Sequence, residues 1–462
     1  MEIGKHSDTI AAIATAMNNS GIGIIRISGK EAIAVADRIF ESKKKGKSLK
    51  NVPSHTVHYG LIKDGNIILD EVLAVVMRGP HSYTGEDTVE INCHGGVFVM
   101  KKILEAVIRY GAVLAEPGEF TKRAFLNGRI DLSQAEAVMD VITSQNEYAM
   151  ENSVHQLKGS LSKKIKELRG IILYQMAYIE SALDDPEHIP LNEYGKELQK
   201  VLSPVIFEVE KLVKSSDNGR IISEGIRTVI LGKPNAGKSS LMNVLLGEER
   251  AIVTDIAGTT RDVLEEQIRL GDLFLKLVDT AGIRETKDIV EQIGVSRAKE
   301  AAGKADLIIY VVDGARPLDE NDQEIIELLR DKQAIVLLNK MDLELMVDAN
   351  DLEKRTGHPV IEISAREELG LEKLKKEITD LFFSGKIDFN DEIVITNIRH
   401  KQALENAWKS LDMVMKGIEE QVPEDFLTID LMDAYEKMGL IIGESVEDDL
   451  VQEIFGKFCM GK

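Results

Sequence analysis

The segment 232–239, with the sequence GKPNAGKS, is the feature that most restricts how this chain can fold. It matches the phosphate-loop pattern G-x-x-x-x-G-K-[ST], in which glycines let backbone N–H groups turn toward a triphosphate. Residues 229–231 predict a buried strand before the loop, and 240–246 predict the helix after it. In this setting we expect Lys238 to reach the β- and γ-phosphates and the Ser239 hydroxyl to ligate Mg²⁺. The alternative is a chance glycine-rich turn, and the flanking strand and helix favour nucleotide binding.

Composition sets broad limits on the rest of the chain. Its 462 residues are enough for about two to four domains, and 44% of them are hydrophobic, as in ordinary folded cores. The net charge of −21 opposes nonspecific binding to nucleic acid, so charge gives no support for an RNA substrate. Two cysteines, Cys93 and Cys459, cannot form a disulfide framework. Without a signal peptide or an apolar run of membrane-spanning length, we expect a cytoplasmic protein that does not enter a membrane.

Residues 1–128 have the composition of a compact α+β domain. One segment, 97–110, has apolar residues at helical spacing. Segments with strand composition lie at 23–28, 71–77 and 88–92.

Residues 129–217 predict the first part of a helical domain. Ser133 and Glu136 fit a capping box at the start of a helix. The sequence 184–186 (DDP) ends this helical stretch, because the residue before a proline avoids helical geometry. In the helix that follows, Pro204 is expected to be a break or a first-turn residue.

Residues 218–384 alternate strand and helix patterns, which predicts a doubly wound α/β domain. Helical pattern returns over 385–462. The simplest arrangement is an α/β domain inserted into one helical domain built from both flanks, and two unrelated helical domains are the alternative. The strands predicted in the α/β part are 228–231, 274–278, 307–312, 335–338 and 360–363.

The motif 279–282 (DTAG) follows one of these strands. Asp279 is suited to hold Mg²⁺ through water, and the Gly282 N–H to sense the γ-phosphate. Ras-like enzymes place a water-orienting Gln next, but Ile283 stands there and cannot orient water. Either hydrolysis is very slow or another group takes this role. Glu291 is the candidate, acting through a bridging water, although its spacing alone favours a solvent-exposed helical Glu.

Base recognition is predicted in two later loops. In 339–342 (NKMD), the Asp342 carboxylate can accept from guanine N1–H and from its exocyclic amine, a pair of donors that adenine lacks. Ser364 and Ala365 fit the loop that donates a backbone N–H to guanine O6. The motifs together select GTP and resemble the translation-factor-like branch of P-loop GTPases.

The segment 254–262 (TDIAGTTRD) fits the first switch of such a domain. A Thr hydroxyl here can complete the Mg²⁺ shell, and Thr260 is the residue we expect to do so. Arg261 either neutralises phosphate charge or pairs with Asp262. The Asn235 carbonyl oxygen, with backbone carbonyls of this segment, can hold a monovalent cation where an arginine finger otherwise lies. The alternative for Asn235 is a simple turn-forming residue.

Further motifs are spread over the whole chain. They are 24–29 (IIRISG), 83–87 (YTGED), 94–96 (HGG), 117–120 (PGEF), 123–127 (RAFLN), 254–262, 279–283 (DTAGI), 290–294 (VEQIG) and 458–462 (FCMGK). This set resembles the MnmE (TrmE) family of tRNA-modification GTPases over essentially the whole length.

The resemblance implies a multidomain α+β and α/β protein. The implied parts are an N-terminal α+β domain (1–128) that binds a tetrahydrofolate one-carbon donor and dimerises, a helical domain (129–217 and 385–462, with a Cys-containing tail) and an inserted Ras-like P-loop GTPase domain (218–384). It implies a 5-formyl or methylene folate, a homodimer, and GTPase domains that meet when GTP and K⁺ are bound. With the FAD-dependent partner MnmG, in a heterotetramer, the family adds an aminomethyl-type group, such as carboxymethylaminomethyl, to C5 of the wobble uridine of certain tRNAs.

The resemblance also implies site residues. Ser239 and Thr260 match the Mg²⁺ ligands, and Glu291 matches the catalytic Glu, which together with the Ile283 gap favours a catalytic role for Glu291. The potassium-side residues are Asn235, Thr254, Ile256 and Thr259. The residues expected to contact GTP are Asn235, Ala236, Gly237, Lys238, Ser239, Ser240, Thr254, Asp255, Ile256, Ala257, Gly258, Thr259, Thr260, Asp279, Thr280, Ala281, Gly282, Asn339, Lys340, Asp342, Ser364, Ala365 and Arg366.

The folate-contacting positions of the family match Arg26, Glu90, Arg129 and Lys462. A carboxylate can pair with the pterin edge, and cations suit the glutamate tail. A cross-strand ion pair is the alternative for Arg26 and Glu90, and spacing alone favours it. Arg129 replaces the usual Lys, which keeps the charge and changes the geometry. Cys459 is either a reactive group near the modification site or an idle thiol.

Functions of other classes also fit a GTPase. One is a GTP-switched assembly protein, for example in ribosome maturation, whose hydrolysis only times release. Another is a membrane-remodelling GTPase, which no lipid-binding helix or basic segment of the sequence supports. The N-terminal domain and the Cys-containing tail favour the tRNA-modifying enzyme, since a pure switch needs no folate pocket.

Overall fold

The computed structural model describes residues 8–144, 146–188, 191, 194–248, 267–270, 273–277, 302–383, 393–444, 451, 454–456, 458 and 461. The chain divides into two compact units. The first comprises Met1–Ile142, Val154–Val205 and Asn406–Lys462, and the second comprises Thr143–Ser153 and Ile206–Glu405.

The first unit contains a seven-stranded sheet. Its strands are β1 (Ile10–Ile13), β2 (Ser20–Ser28), β3 (Phe40–Ser42), β4 (Thr56–Asp64), β5 (Ile67–Met77), β6 (Thr88–Gly95) and β7 (Val113–Leu114). Their order in the sheet is β3-β4-β5-β6-β2-β1-β7. Neighbouring strands are antiparallel except β1 and β7, which run parallel.

The two faces of this sheet have different surroundings. Helices α1 (Ala32–Ile39) and α2 (Val97–Arg109) cover one face, where Ile25 and Ile27 of β2 are fully buried in the core. Side chains alternate along a strand, so Arg26 lies on the opposite, outer face. This alternation places charged residues on the outer face of a sheet whose other face is apolar.

Helices follow the sheet along the chain. They are α3 (Glu119–Leu126), α4 (Leu132–Thr143), α5 (Glu147–Leu157), α6 (Ser160–Asp184) and α7 (Tyr194–Glu224). The end of α6 at Asp184, directly before Asp185 and Pro186, confirms the predicted stop.

The second unit contains a six-stranded sheet in a doubly wound arrangement. Its strands are β8 (Ile226–Leu231), β9 (Gln267–Leu270), β10 (Leu273–Leu277), β11 (Leu307–Asp313), β12 (Ala334–Asn339) and β13 (Val360–Glu362). The order is β13-β12-β11-β8-β10-β9, with β9 the antiparallel strand. Helices of this unit are α8 (Lys238–Glu248), α9 (Glu320–Leu329), α10 (Ala349–Thr356) and α11 (Leu371–Phe383). Apolar cores lie on both faces of the sheet, which explains the almost wholly apolar sequences of β8, β11 and β12.

Two further helices, α12 (Ile398–Glu419) and α13 (Glu424–Ile442), come after the α/β part. Within the first unit, Arg169 of α6 lies over the Tyr435 ring of α13 at 3.9 Å and donates to the Tyr435 carbonyl at 3.0 Å. Arg169 also pairs with Glu444. These contacts join helices from the two flanks of the α/β segment, as the sequence predicts.

The predicted capping box of Ser133 and Glu136 is wrong. The Asp131 carboxylate accepts from the Gln134 N–H at 3.0 Å, and the Gln134 side chain accepts from the Asp131 N–H at 3.0 Å. Ser133 lies inside the helix and donates to Asp131. Asp caps a helix as well as Ser does, so the reciprocal pair forms two residues earlier than the S-x-x-E pattern suggests.

The expectation for Pro204 is also wrong, because α7 continues through it. A proline inside a helix removes one backbone hydrogen bond and costs roughly 3 kcal/mol. The apolar stripe of α7 offsets this: Leu198, Leu202, Val205 and Val209 are buried at helical spacing.

The predicted strands of the α/β part are all present in the described residues, with ends shifted by one or two positions; Val278, the last residue of one prediction, lies outside them. The domain boundaries at 128, 217 and 384 stay predictions. Among the described residues, no helix has both the length and the hydropathy needed to cross a membrane.

Candidate functional site

The phosphate loop lies between β8 and α8. Gly232 and Gly237 have φ angles of +147° and +103°, which favour glycine, and a Cβ at Gly237 would collide with the Asn339 side-chain amide. Asn235, with φ of +63°, also adopts the left-handed region. The loop therefore turns tightly and leads into the N-terminus of α8, where backbone N–H groups favour an anion.

The Lys238 side chain folds back across this loop. Its Nζ donates to the carbonyls of Gly232 at 2.6 Å and Lys233 at 2.7 Å. Burial lowers the pKa of Lys238 from its usual range. A phosphate at the loop would supply the counter-charge, so anion binding stabilises the ammonium form of this side chain. Ser239 and Ser240 follow it in the first turn of α8.

Asn339 connects the phosphate loop to the predicted base-recognition loops. This residue is buried at the end of β12, where its Nδ2 donates to the Ala236 carbonyl at 2.8 Å. Its Oδ1 accepts from the Ala365 N–H at 3.0 Å. A single amide thus bridges three motifs that are far apart in sequence, and both of its polar atoms are used.

Asp342 and Ser364 lie together at the predicted base-recognition site. The Ser364 hydroxyl donates to Asp342 Oδ1 at 2.7 Å, and this bond is the main cause that lowers the pKa of Asp342. The side chain is therefore an ionised, acceptor-only group, as recognition of two guanine donors requires. Lys340 pairs with Asp313 at 2.7 Å, which ties the same loop to the end of β11. Arg366 is highly exposed beside these residues in sequence.

Several predicted residues lie outside the described part of the chain. They are Thr254, Asp255, Ile256, Ala257, Gly258, Thr259, Thr260, Asp279, Thr280, Ala281, Gly282, Glu291, Cys459 and Lys462.

A second cluster of predicted residues lies on the outer face of the N-terminal sheet. Arg26 and Glu90 are opposite each other on β2 and β6, and Arg26 Nε lies 2.8 Å from Glu90 Oε1. The cross-strand ion pair that spacing favours is therefore present. Arg26 Nη1 also donates to the Gly461 carbonyl at 3.1 Å. The C-terminal segment thus reaches the same pair of side chains.

Arg129 is connected to this cluster through the Tyr83 ring, which lies near both Arg129 and Arg26. The Arg26 guanidinium lies 5.3 Å from the centre of the Tyr83 ring, and that of Arg129 lies 5.0 Å from it. Both distances are in the range of cation–π attraction. The Tyr83 hydroxyl is hydrogen-bonded to the Thr121 hydroxyl at 2.9 Å, which fixes the ring. Tyr83 is the first residue of the 83–87 motif, but the sequence alone predicted no role for it.

A cavity of about 430 Å³ adjoins Tyr83 and Arg129. Its wall is mainly apolar, and Gln134 adds a polar group. The lining residues are Tyr83, Arg129, Ile130, Gln134, Val138, Val141, Ile142 and Leu157. This half-open cavity has a volume in the range of small-molecule sites, and Arg129 is the cationic residue of its lining.

A buried polar network holds the loop that carries Tyr83. Arg123, only 2% exposed, donates to Glu119 at 2.8 Å and to Glu86 at 3.2 Å. Asn127 Nδ2 donates to the Thr84 carbonyl at 2.7 Å. The motifs at 83–87, 117–120 and 123–127 therefore act together as the frame of the Tyr83 loop.

Comparisons with known protein families match both flanks of the chain and the segment between them. Residues 9–129 match the family model described as the GTP-binding protein TrmE N-terminus, and residues 132–459 match the MnmE helical domain. The second match includes both helical flanks and so supports one helical domain that contains an inserted α/β segment.

Curated relatives match over nearly the whole length. A tRNA modification GTPase MnmE from Lachnoclostridium phytofermentans is 57% identical over 99% of this chain and 100% of its own. Proteins of the same description from Clostridioides difficile and Geobacillus thermodenitrificans are 50% and 47% identical, each over 98% of this chain and 99% of their own. With these matches over nearly the whole of both chains, and with family models that match 9–129 and 132–459, the chain belongs to the MnmE family of tRNA modification GTPases.

Proposed function

We propose that this GTPase acts at C5 of the wobble uridine of certain tRNAs, where it installs an aminomethyl-type group with a tetrahydrofolate one-carbon donor. It does so in the cytoplasm, with the FAD-dependent protein MnmG as partner. The observation that carries this proposal is the cluster of Arg26, Glu90, Tyr83 and Arg129 beside a ligand-sized cavity. A GTP-switched assembly protein, whose hydrolysis only times release, requires no second site of this kind.

The GTP-binding role is supported by the residues of the second unit. Asp342 accepts from the guanine edge, the loop around Gly237 surrounds the phosphates, and Lys238 balances their charge. Ser239, in the first turn of α8 beside Lys238, suits Mg²⁺ because its hydroxyl oxygen is a hard ligand, and Thr260 is proposed as the second protein ligand. Mg²⁺, when bound, neutralises charge that develops on the phosphates.

For the hydrolytic step, we propose that Glu291 orients the attacking water in place of the missing Gln. The residues proposed to form the K⁺ site are Asn235, Thr254, Ile256 and Thr259. Of these, Asn235 lies in the described part of the chain, within the phosphate loop, and it has a left-handed backbone conformation. K⁺, when bound, supplies positive charge of the kind an arginine finger supplies in other GTPases.

The N-terminal cluster suits a folate derivative. Glu90 can accept from the donor edge of a pterin, and the guanidinium groups of Arg26 and Arg129 can pair with the carboxylates of the glutamate tail. The apolar wall of the cavity, including Val138 and Val141, can pack against a flat ring. Lys462 is proposed to join this site, since the preceding Gly461 contacts Arg26. A 5-formyl or methylene form would provide the one-carbon unit.

The outer face of the N-terminal sheet supports a homodimer. Val57, Tyr59 and Leu73 are 58%, 52% and 43% exposed there, in the same rows of the sheet as Glu90 and its neighbour Asn92. Asn92 Oδ1 is buried and has no hydrogen-bond partner among the described residues. A second copy packed on this face would cover the apolar rows and adjoin the Arg26–Glu90 pair.

Deleting the gene and analysing the nucleosides of bulk tRNA by mass spectrometry tests the proposal. We expect the wobble modification to disappear and to return on complementation with the wild-type gene. Complementation with Tyr83→Ala should fail, whereas Tyr83→Phe, which keeps the ring near the two arginines, should succeed. An unchanged nucleoside profile in the deletion strain would favour the GTP-switched assembly protein instead.

A further inference from the structure

Lys233, the second residue of the phosphate loop, has its side chain turned away from the loop and toward the start of α9. Its Nζ lies 2.6 Å from Asp322 Oδ2 and 2.9 Å from Asp319 Oδ2. The Lys233 side chain is 18% exposed and that of Asp322 is 1% exposed. The pair with Asp322 is therefore mostly shielded from water, where a charge-assisted bond is strong.

Asp322 is itself held in place from several sides. Its Oδ1 accepts from the Tyr310 hydroxyl at 2.7 Å, and Tyr310 is fully buried in β11. Its Oδ2 also accepts from the Asp319 N–H at 2.9 Å. Asp319 and Asp322 form the capping box of α9. Because the central strand and the helix start both fix this carboxylate, it is a rigid anchor for the Lys233 ammonium.

The backbone of Lys233 also contacts Lys238, the lysine of the phosphate-loop motif. The Lys233 carbonyl accepts from Lys238 Nζ at 2.7 Å. Lys233 is thus held at its side-chain end by Asp322, while its carbonyl holds the lysine that faces the phosphates. Displacing the Lys233 side chain would free the first half of the loop in the nucleotide-free protein.

We propose that Lys233 is a positioning residue for GTP, which fixes the phosphate loop through the buried Asp322 and does not itself bind phosphate. The ammonium is engaged by two carboxylates at the start of α9. The loop is then preorganised before nucleotide arrives, which reduces the loss of backbone freedom on binding. This role concerns GTP binding alone and is independent of the folate and tRNA steps.

The test measures the Kd of a fluorescent GDP analogue and the steady-state GTPase kinetics of Lys233→Met, Asp322→Asn and the double variant. Loss of a buried charge-assisted bond predicts about tenfold weaker binding for each single variant. The double variant should be no weaker than either one, because both remove the same bond. KM should rise while kcat at saturating GTP stays within about twofold. Lys233→Arg, which keeps a cation for the two carboxylates, should retain most of the affinity.

Direct contact of Lys233 with phosphate makes the opposite prediction for Asp322→Asn. Freeing the ammonium would then leave nucleotide affinity unchanged or tighter, and Lys233→Met would lower kcat. Either result overturns the proposal, as does unchanged affinity in both single variants. Arg355→Met is the matched control, since it removes a cation from an exposed ion pair with Asp351 in the same unit and should leave Kd unchanged.

A milder variant covers the case in which loss of the buried pair prevents folding. Asp319→Asn removes one carboxylate from Lys233, and Asn caps a helix as well as Asp does. Because this carboxylate is more than half exposed, we expect only about two- to threefold weaker GDP binding. Unchanged affinity in Asp319→Asn, with a normal circular dichroism spectrum, would count against the proposal.

Discussion

The Asn339 side-chain amide donates to the Ala236 backbone carbonyl at 2.8 Å, so the base-recognition motif is bonded directly to the phosphate loop. The other atom of the same amide holds Ala365. The two loops proposed to bind the two ends of the nucleotide therefore share one buried side chain. We therefore expect a substitution of Asn339 to affect both loops.

Asn339→Ala should weaken binding of GTP and GDP together. The substitution leaves the Ala236 carbonyl and the Ala365 N–H without their partner, and each such group costs about 1–3 kcal/mol. Over the two groups this is about 2–6 kcal/mol, so we expect a loss of affinity of about thirtyfold or more, measured by fluorescent nucleotide titration. Asn321→Ala, in the first turn of α9, is a control that should bind normally.

Asp342→Asn should change which base is bound. An Asn amide can still accept from N1–H but presents a donor to the exocyclic amine of guanine, whereas it complements the carbonyl of xanthine. We expect GTP affinity to fall about a hundredfold or more and XTP affinity to rise. Competition between GTP and XTP for a fluorescent analogue measures this. Equal losses for both nucleotides would contradict the assigned role.

Glu291→Ala should retain GTP affinity and lose turnover. Loss of a group that positions the attacking water lowers the rate about a hundredfold or more. Single-turnover hydrolysis with enzyme in excess separates this step from binding and release. Glu353→Ala on α10 removes the same charge from the GTPase unit and should hydrolyse GTP at the wild-type rate.

Hydrolysis should be faster in K⁺ than in Na⁺ at equal ionic strength. If Asn235 holds the cation, Asn235→Gly, which removes the side-chain carbonyl and tolerates the left-handed backbone, should abolish this difference. Phosphate release measured in matched chloride salts tests both points. Equal wild-type rates in the two salts would remove Asn235 from the cation site.

Acid should weaken the N-terminal sheet through His58. This side chain is buried in β4, its Nε2 is bonded to the Thr56 hydroxyl, and its Nδ1 has no partner within the described ranges. Burial, with a smaller effect of Lys47, lowers the pKa of His58 below its ordinary value. The unfolded chain therefore takes up a proton before the folded one does, and stability falls as the pH drops below about 6.5.

Hydrogen exchange of the β4 and β5 amides at pH 7.5 and 5.5 measures this effect. The loss cannot exceed about 1.4 kcal/mol per pH unit for one group. His58→Gln should reduce the difference between the two pH values. An identical pH dependence in the variant would assign it to other groups.

Much of the nucleotide unit could be predicted because its signals are local. The sequence 229–246 specifies strand, loop and helix within eighteen consecutive positions, and β8, the loop and α8 follow it. The sequence did not predict the N-cap at Asp131, because Asp131 with Gln134 and Ser133 with Glu136 both have the spacing of a capping box. Only the packing of the helix decides which of the two pairs forms it. The prediction for Pro204 was wrong because the preference of proline for helix ends takes no account of the buried apolar stripe that stabilises α7.

The N-terminal site was predicted less completely because its parts meet only in three dimensions. The Tyr83 ring is within cation–π distance of both Arg26 and Arg129, and no local pattern indicates that one aromatic ring will contact two arginines distant in sequence. Strand β4 was missed as well, since His58 and Gly60 occupy its buried positions while Val57 and Tyr59 are exposed, the reverse of the usual apolar-in pattern. The pairing of Arg26 with Glu90 was foreseen as an alternative, and its use by a folate stays a prediction.

The hydrogen bond from Arg26 to the Gly461 carbonyl joins residues 435 positions apart. A ribosome that adds about 5–20 residues per second makes Gly461 roughly 20–90 s after Arg26. During this interval the N-terminal segment has no contact with Gly461. A chain released early by a premature stop codon would carry the sheet but lack the finished site. The Arg26–Gly461 contact can therefore form only after the helical and GTPase segments have been translated.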